Sequence, residues 1–311
     1  MGRKFGIEVE NASRISHVDL AIALKNAGLN VDDSATGSYE SNGYRGWQVK
    51  YDGSIRSTRN HRYKIELVSP PLEINAASFK EVRAAIKVAR VNGKVNRSCG
   101  LHVHVDAADF SRREIARVHE MWSAWGPTLF SMISRSRRRN RYCRYGISRE
   151  DRYVAINLVP FASRGTIEFR FHQGSLNSSN ILAWVVFCAK LLDFVKSDKL
   201  IERLSPDLAE PVKISRVVNG QEFVVEKNGP RNWVLDGQQF ETIGAWGAEI
   251  AKRINDPSKA GKFRRIFGSP DYGNAMTKIC HAIGLSGQIK STMEMRYEHI
   301  TQQHGFFEGG R

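Results

Sequence analysis

Apolar and ionisable residues alternate in three separate stretches of the chain: Gly6-Ile-Glu-Val-Glu10, Cys99-Gly-Leu-His-Val-His-Val-Asp106 and Thr166-Ile-Glu-Phe-Arg-Phe-His172. A period of two is that of a strand with one buried face. The alternation therefore groups Glu8 with Glu10, His102 with His104, and Glu168 with Arg170 and His172, each set on one face of its strand. Further strands are expected at Trp47 to Tyr51, where Asp52-Gly53 turns the chain and Ile55 begins the return, and at Tyr63 to Val68, which carries Glu66. The latter stops at Ser69-Pro70-Pro71, because proline has no N–H for the ladder. Ala155 to Leu158 reads as a partner of Thr166 to His172.

Helical periodicity fills the intervals. Ser16 with Asp19 makes a capping box ahead of the apolar positions from Val18 to Leu24, and Gly28 follows. Ala76 to Asn92 is helical in pattern and closed by Gly93. Ser111 with Glu114 repeats the capping box and opens a helix through Met121 and Trp125 to Pro127. Asn180 to Val195 is an apolar helix whose Trp184, Phe187, Leu191 and Phe194 stripe reads as core. Residues 36 to 46, rich in Gly, Ser, Asn and Tyr, read as a loop.

Past residue 205 the texture changes. Val212 to Val218, Asn219-Gly220 and Glu222 to Glu226 form a hairpin signal, since Asn-Gly suits a type I′ turn. Helices follow over Thr242–Asn255, Asn274–Ile283 and Thr292–Gln303, and His281, His299 and His304 read as structural or surface residues. The expected organisation is a domain over 1–204 and a hairpin-plus-helices extension over 205–311, packed on it.

If the three alternating strands are neighbours with their apolar faces on a helix layer, the opposite face collects Glu8, Glu10, His102, His104, Glu168, Arg170 and His172. Two carboxylates about 4 Å apart repel by roughly 4 kcal/mol at an effective dielectric near 20. Such a face needs cations. Carboxylate oxygens with an imidazole suit magnesium or manganese, and the remaining positive groups suit phosphate. Any one strand alone reads as a solvated sheet face; three together favour a metal site.

The 311 residues are 41% hydrophobic and 25% charged, enough for a sizeable core. Lysine and arginine outnumber aspartate and glutamate by 47 to 32, a net +15. That balance suits polyanionic partners such as nucleic acid, nucleotides or an acidic polymer, although many phage and nucleoid-associated enzymes are simply basic. The run Arg135 to Arg144 holds six arginines in ten positions; it reads as a solvated face, a nucleic-acid patch or an anion clamp over a triphosphate. Cys99, Cys143, Cys188 and Cys280 form no Cys-x-x-Cys pair, so neither a zinc ribbon nor a disulfide framework is indicated. The first residues show no signal-peptide apolar core and no myristoylation pattern, and the apolar run Ile181 to Ala189 is too short to cross a bilayer. A cytoplasmic protein without a membrane role is expected.

Taken in order, Phe5-Gly-Ile-Glu-Val-Glu10, Asp52-Gly-Ser54, Ile65-Glu-Leu-Val-Ser-Pro-Pro-Leu72, the histidine strand 99–106, Ser136-Arg-Arg-Arg-Asn-Arg-Tyr-Cys143 and Thr166-Ile-Glu-Phe-Arg-Phe-His-Gln-Gly174 resemble the amidoligase family, relatives of glutamine synthetase and glutamate-cysteine ligase. The resemblance spans roughly residues 3 to 190. It implies an α+β fold with a curved, mainly antiparallel sheet, helices on its convex face, and a concave face that binds ATP and divalent metal, Mg2+ or Mn2+. It implies that Glu8, His102 and Glu168 hold one metal, that Glu10 and Glu66 hold a second, and that either Asp52 or Glu73 supplies a further carboxylate. Arg170 would sit on the γ-phosphoryl group, His104 near the nucleotide, and Arg137, Arg138 and Asn140 of the arginine run against ATP.

The implied reaction joins a carboxylate to an amine. Transfer of the γ-phosphoryl of ATP makes an acyl phosphate that the amine attacks, and phosphoryl transfer asks for positioning and charge stabilisation rather than a covalent enzyme intermediate. Cys99 and Cys143 therefore read as small buried thiols. Asp52 or an acceptor-side carboxylate would take the amine's proton. The acceptor could be a polyanion such as modified DNA, or an acidic peptide. A metal-dependent nuclease or nucleic-acid-binding protein would combine carboxylates, histidine and positive charge in the same way, and is the alternative.

Overall fold

The computed structural model describes residues 2–38, 43, 45–199, 201, 212–218, 220–227, 233–235, 237–240, 243–255 and 272–304. Most of the expected loop between 39 and 44, residues 205–211, Asn219 of the expected turn and Thr242 lie outside them, as does the side chain of His304.

The alternating stretches become the middle of one sheet. β1 (Lys4–Ser13), β2 (Gln48–Tyr51), β3 (Tyr63–Val68), β6 (Gly100–Asp106), β7 (Arg144–Ser148), β8 (Val154–Asn157) and β9 (Thr166–Gln173) run in the order β2-β3-β1-β6-β9-β8-β7, with the short β4 (Leu72–Glu73) and β5 (Gly93–Lys94) also pairing with β1. Every pairing is antiparallel except β7 with β8. One face is mainly apolar. Phe5, Ile7, Val9, Ile65, Leu67, Leu101, Val103, Val105, Ile167 and Phe169 are buried there in a single core cluster.

That core is closed by α1 (His17–Asn26), α2 (Ala76–Asn92), α3 (Arg112–Ser131) and α6 (Ser178–Lys196), with the short α4 (Arg135–Arg138) and α5 (Val159–Arg164) between the last two in sequence. The capping boxes at Ser16 and Ser111 both form, each serine accepting from the backbone N–H three residues on. The helix α3 does not end at Pro127. It continues to Ser131 because Thr128, Leu129 and Phe130 are buried and the Ser131 hydroxyl donates to the Pro127 carbonyl; packing outweighs the one N–H the proline lacks. The 19-residue helix α6 is, as a whole, long and apolar enough to cross a bilayer, unlike the shorter run inside it, but 67% of its apolar 18-residue stretch is buried in this fold. It forms the middle of the core, with Trp184, Phe187 and Leu191 fully enclosed.

Two other differences concern the site. Ile55 starts no strand; the chain from Asp52 to Arg62 is a loop, and Ile55 is buried with Ala12, Cys99 and Val95 in a small separate cluster. Along β9 the register against β6 shifts by one, from His104↔Glu168 and Val103↔Phe169 to Leu101↔His172. This bulge gives β9 an extra residue, so beyond it the faces exchange.

The C-terminal part holds a second sheet, β10 (Val212–Val218), β11 (Gln221–Lys227), β12 (Trp233–Leu235) and β13 (Gln238–Phe240), in that order. The expected hairpin is its first pair, with Val218 opposite Gln221 and Gly220 at φ 80°. The helices α7 (Ile243–Arg253), α8 (Tyr272–Ala282) and α9 (Gly287–His304) follow; Met276, Ile279, Cys280, Met293 and Tyr297 of the last two belong to the main core cluster.

Candidate active site

Four adjacent strands, β3, β1, β6 and β9, carry the ionisable residues of the polar face. Register places Glu10 opposite Glu66, Glu8 opposite His102, and His104 opposite Glu168. The side chains meet. The Glu8 carboxylate lies 2.9 Å from His102 Nδ1 through one oxygen and 3.2 Å from His104 Nε2 through the other. His102 Nε2 is 3.4 Å from Glu10 Oε1, and Glu168 Oε1 is 3.6 Å from His102 Nδ1 and 3.7 Å from His104 Nε2. The second oxygens are also held, Gly100 N–H donating to Glu10 Oε2 at 2.6 Å and Asn157 Nδ2 to Glu168 Oε2 at 2.6 Å, and Arg170 Nη1 donates to the same Glu168 Oε1 that faces the histidines.

Three triads among the described residues bring their ligand atoms within 4.8 Å of one another: Glu8, His104 and Glu168; Glu8, Glu66 and His102; and Glu10, Asp52 and Glu66. The imidazole grouped with Glu8 and Glu168 is therefore His104, expected near the nucleotide, while His102, expected with that pair, is grouped with Glu8 and Glu66. The cluster thus has two ends. Asp52 completes the carboxylate set at the Glu10 end, its oxygens accepting from Ser54 N and Oγ. Glu73, the other candidate for that role, is exposed beside Lys4 at a far strand end.

Electrostatics shows what the arrangement is short of. Burial, then repulsion from Glu8, Glu10 and Asp52, which outweighs the attraction of Lys50 at 3.7 Å, raises Glu66 well above the usual carboxylate range. Burial pushes Glu8 up as well, but hydrogen bonds and charge from His102 and His104 outweigh it and hold Glu8 well below that range. His104 is pushed down by burial and, more strongly, up by Glu168 and Glu8. Both upward shifts mark a place that favours added positive charge, which a bound cation would supply. A divalent ion fits this donor set of carboxylate oxygens and imidazole nitrogens, with a hard oxygen majority matching Mg2+ or Mn2+.

Several expected site residues lie elsewhere. The β9 bulge turns His172 to the helix side, where its ring lies 5.0 Å from that of Trp184 at a tilt of 44°, and burial with the charges of Arg296 and Arg137 lowers its pKa well below the usual imidazole range. It is a core histidine. Arg137 is buried against β9, donating to the Arg170 carbonyl at 2.7 Å, with its Nη2 close to Gly100. Arg138 donates to the Ile133 and Ser131 carbonyls, and Asn140 accepts from Tyr142 N. The arginine run is therefore neither one solvated face nor one clamp: Arg137 and Arg138 turn inward onto carbonyls, while Arg135, Arg139, Arg141 and Arg144 are exposed. Cys99 and Cys143 are buried free thiols, and burial pushes Cys99 up to about 11.

Asn157, Thr166 and Lys50 were not expected in the site. Asn157 ends the apolar run Val154-Ala-Ile opposite Glu168, and a lone amide closing such a strand was the only signal for it. Beside the Glu8 and His104 end opens a cavity of about 280 Å³, walled by Phe5, Ile7, Val68 and Pro71 and edged by Lys4, Asp106, Arg164 and Thr166.

The profile of a family described as "Putative amidoligase enzyme" matches residues 1–146 and 144–192, the span of this sheet and of the site it carries. The chain belongs to the amidoligase family. A structural likeness extends over 97% of this amidoligase and 65% of the other chain, at 12% identity and a TM-score of 0.36, to a crystal structure described as the complex between Prokaryotic Ubiquitin-like Protein Pup and its Ligase PafA. This amidoligase thus spans about two thirds of that chain's length. No curated protein sequence matches it.

Proposed function

We propose that this amidoligase is an ATP-dependent carboxylate-amine ligase working through an acyl phosphate. The observation that carries the reading is the convergence of Glu8, Glu10, Glu66, His102, His104, Glu168 and Arg170 from four neighbouring strands onto one face. The two ends suggest a polarity. The cavity beside Glu8 and His104 offers apolar walls for a nucleoside and Lys4 and Arg164 for phosphates; the Glu10, Asp52 and Glu66 end then faces the acceptor carboxylate.

Glu8, His104 and Glu168 at one end, and Glu10, Asp52 and Glu66 at the other, would hold Mg2+ or Mn2+, which when bound screens phosphate and carboxylate charge. Arg170, fixed by Glu168 and the Tyr142 carbonyl, places a guanidinium on the γ-phosphoryl group. An acceptor oxygen attacks the γ-phosphorus and the bond to the ADP oxygen breaks. An amine then attacks the acyl carbon, phosphate leaves with its electron pair, and the amine's proton passes to Asp52. Asn157 and Thr166 orient Glu168 and His104.

The test is mass spectrometry of acid and amine pools incubated with protein, ATP and magnesium, alongside ADP release. ADP and phosphate should accumulate only when both acceptor and amine are present. Cleavage of DNA with no nucleotide requirement would instead establish the nuclease alternative, which no particular contact in the site favours.

A further inference from the structure

We infer that the loop 53–62 between β2 and β3, together with the turn 94–98 before β6, forms a basic lip that docks an acidic peptide segment, the substrate that brings the acceptor carboxylate. This rests on the ligase reading above and names its substrate class.

The lip adjoins the acceptor end of the cluster. It begins one residue after Asp52, whose carboxylate lies with Glu10 and Glu66. Its second part leads directly to Gly100, whose N–H holds Glu10. Arg56, Arg59, Arg62, Lys94 and Arg97 are all exposed, and none has an ion-pair partner among the described residues. No aspartate or glutamate occurs in residues 53–64 or 93–100. At the other end of the sheet, by contrast, Arg3 pairs with Asp109 and Asp193, and Arg117 with Asp198.

The lip is also a built element. Arg56 N donates to Ser98 Oγ at 2.8 Å, and Asn96 Nδ2 donates to the Arg56 carbonyl at 2.8 Å. Thr58 and His61 exchange backbone hydrogen bonds at the tip, and Ile55 anchors the base among Ala12, Val95 and Cys99. Five unneutralised cations on a fixed support repel one another and gain most from a partner with several negative charges. Between polyanions, the chemistry decides. Ligation consumes a carboxylate; an Asp- or Glu-rich peptide offers that group and the docking charges together, whereas the phosphodiesters of nucleic acid offer only the charges.

The experiment uses the full chain and a fluorescein-labelled oligoglutamate peptide, followed by anisotropy without ATP or metal. The peptide should bind with an affinity that falls as salt rises, and R56E/R59E/R97E should weaken it by about tenfold or more at low salt. Those three side chains are exposed, and Arg56 holds the lip through its backbone, so the variant should keep the wild-type melting temperature. The control K80E/R83E/K87E reverses as much charge on the exposed face of α2 and should change affinity by no more than about twofold. An equal loss in both variants, or none in the lip variant, overturns the proposal. So does a polythymidine oligonucleotide that binds more tightly and is itself lost in the lip variant. Docking that survives while peptide, amine and ATP give no ADP would sink the ligase reading and leave the lip standing; ADP release from small carboxylates with an inert lip would do the reverse.

Discussion

Gly100→Ala is the smallest change that tests the packing of the site. An ideal Cβ at position 100 would lie 2.9 Å from Arg137 Nη2, 2.9 Å from His102 Nε2 and 3.2 Å from Arg137 Cζ. Ordinary contact needs about 3.5–4.0 Å, so two groups must each retreat by roughly half an ångström. Neither is free to do so. Arg137 is 2% exposed and tied to the Arg170 carbonyl; His102 is 3% exposed and set between Glu8 and Glu10. Overpacking of this kind costs about 1–3 kcal/mol, and each kcal/mol lowers Tm by about 2–4 °C in a chain of this size. Displacing His102 from between its carboxylates should also weaken Mn2+ binding by about 10–100-fold. Gly6→Ala is the control, because its Cβ would meet nothing closer than 3.9 Å, although Gly6 also lies on the polar face, opposite His104. Thermal unfolding and Mn2+ titration of the two variants decide the matter. If Gly100→Ala melts with the wild type and binds Mn2+ as tightly, Arg137 and His102 do not meet over Gly100 and the described site is wrong.

Three other outcomes follow from the same geometry. Glu168→Gln keeps the shape of a side chain that joins Arg170, Asn157 and both histidines, but removes its charge; the stabilisation by ATP with Mg2+ in a thermal shift assay should vanish, and an unchanged shift would place the nucleotide elsewhere. Because burial and neighbouring carboxylates raise Glu66, and Glu168 and Glu8 raise His104 against the effect of burial, the contribution of these two groups to stability in EDTA should be full below their ordinary pKa values and be lost as pH rises through the raised ones; excess Mg2+ should flatten that loss, and Glu66→Gln should reduce it. A profile of Glu66→Gln that overlays the wild type would remove Glu66 from the account. Cys99, with its thiol raised to about 11, should stay unreactive towards a disulfide reagent at neutral pH until the protein unfolds, and so should the equally buried Cys143; fast labelling in the folded state would show either thiol to be accessible.

Local pattern made most of the site legible, because the period of two in β1, β6 and β9 is enforced by a continuous apolar core on the other face. Where the sequence misled, non-local packing had intervened. His172 obeys the alternation of Thr166-Ile-Glu-Phe-Arg-Phe-His172, yet the bulge in β9 adds a residue and carries it into the core, an event that only pairing with β6 can produce. Pro127 looks like a stop, and α3 passes it because the following turn has a core to enter. The run from Arg135 to Arg144 looks uniform, but two of its guanidiniums face inward while, among the described residues, the exposed ones make no hydrogen bond to the Glu8–His102–Glu168 cluster.

The bulge also has a consequence for chemistry. Had β9 kept its alternation, His172 would stand on the polar face two residues beyond Arg170, adding a third imidazole next to a guanidinium. By turning His172 inward, β9 leaves Glu168 and Arg170 as its only ionisable groups on that face, a carboxylate for a metal and a cation for a phosphoryl group. Burial of Arg137 behind the strand fits the same division. Its charge is near enough to lower Cys143 against the effect of burial, yet its hydrogen bond goes to the Arg170 carbonyl, so it supports the strand that presents Arg170 and does not compete with it for an anion. Replacing Arg137 by lysine should therefore alter how Arg170 is held, appearing in kcat more than in the KM for ATP; a rise in the KM for ATP alone would mean that Arg137 touches the nucleotide after all.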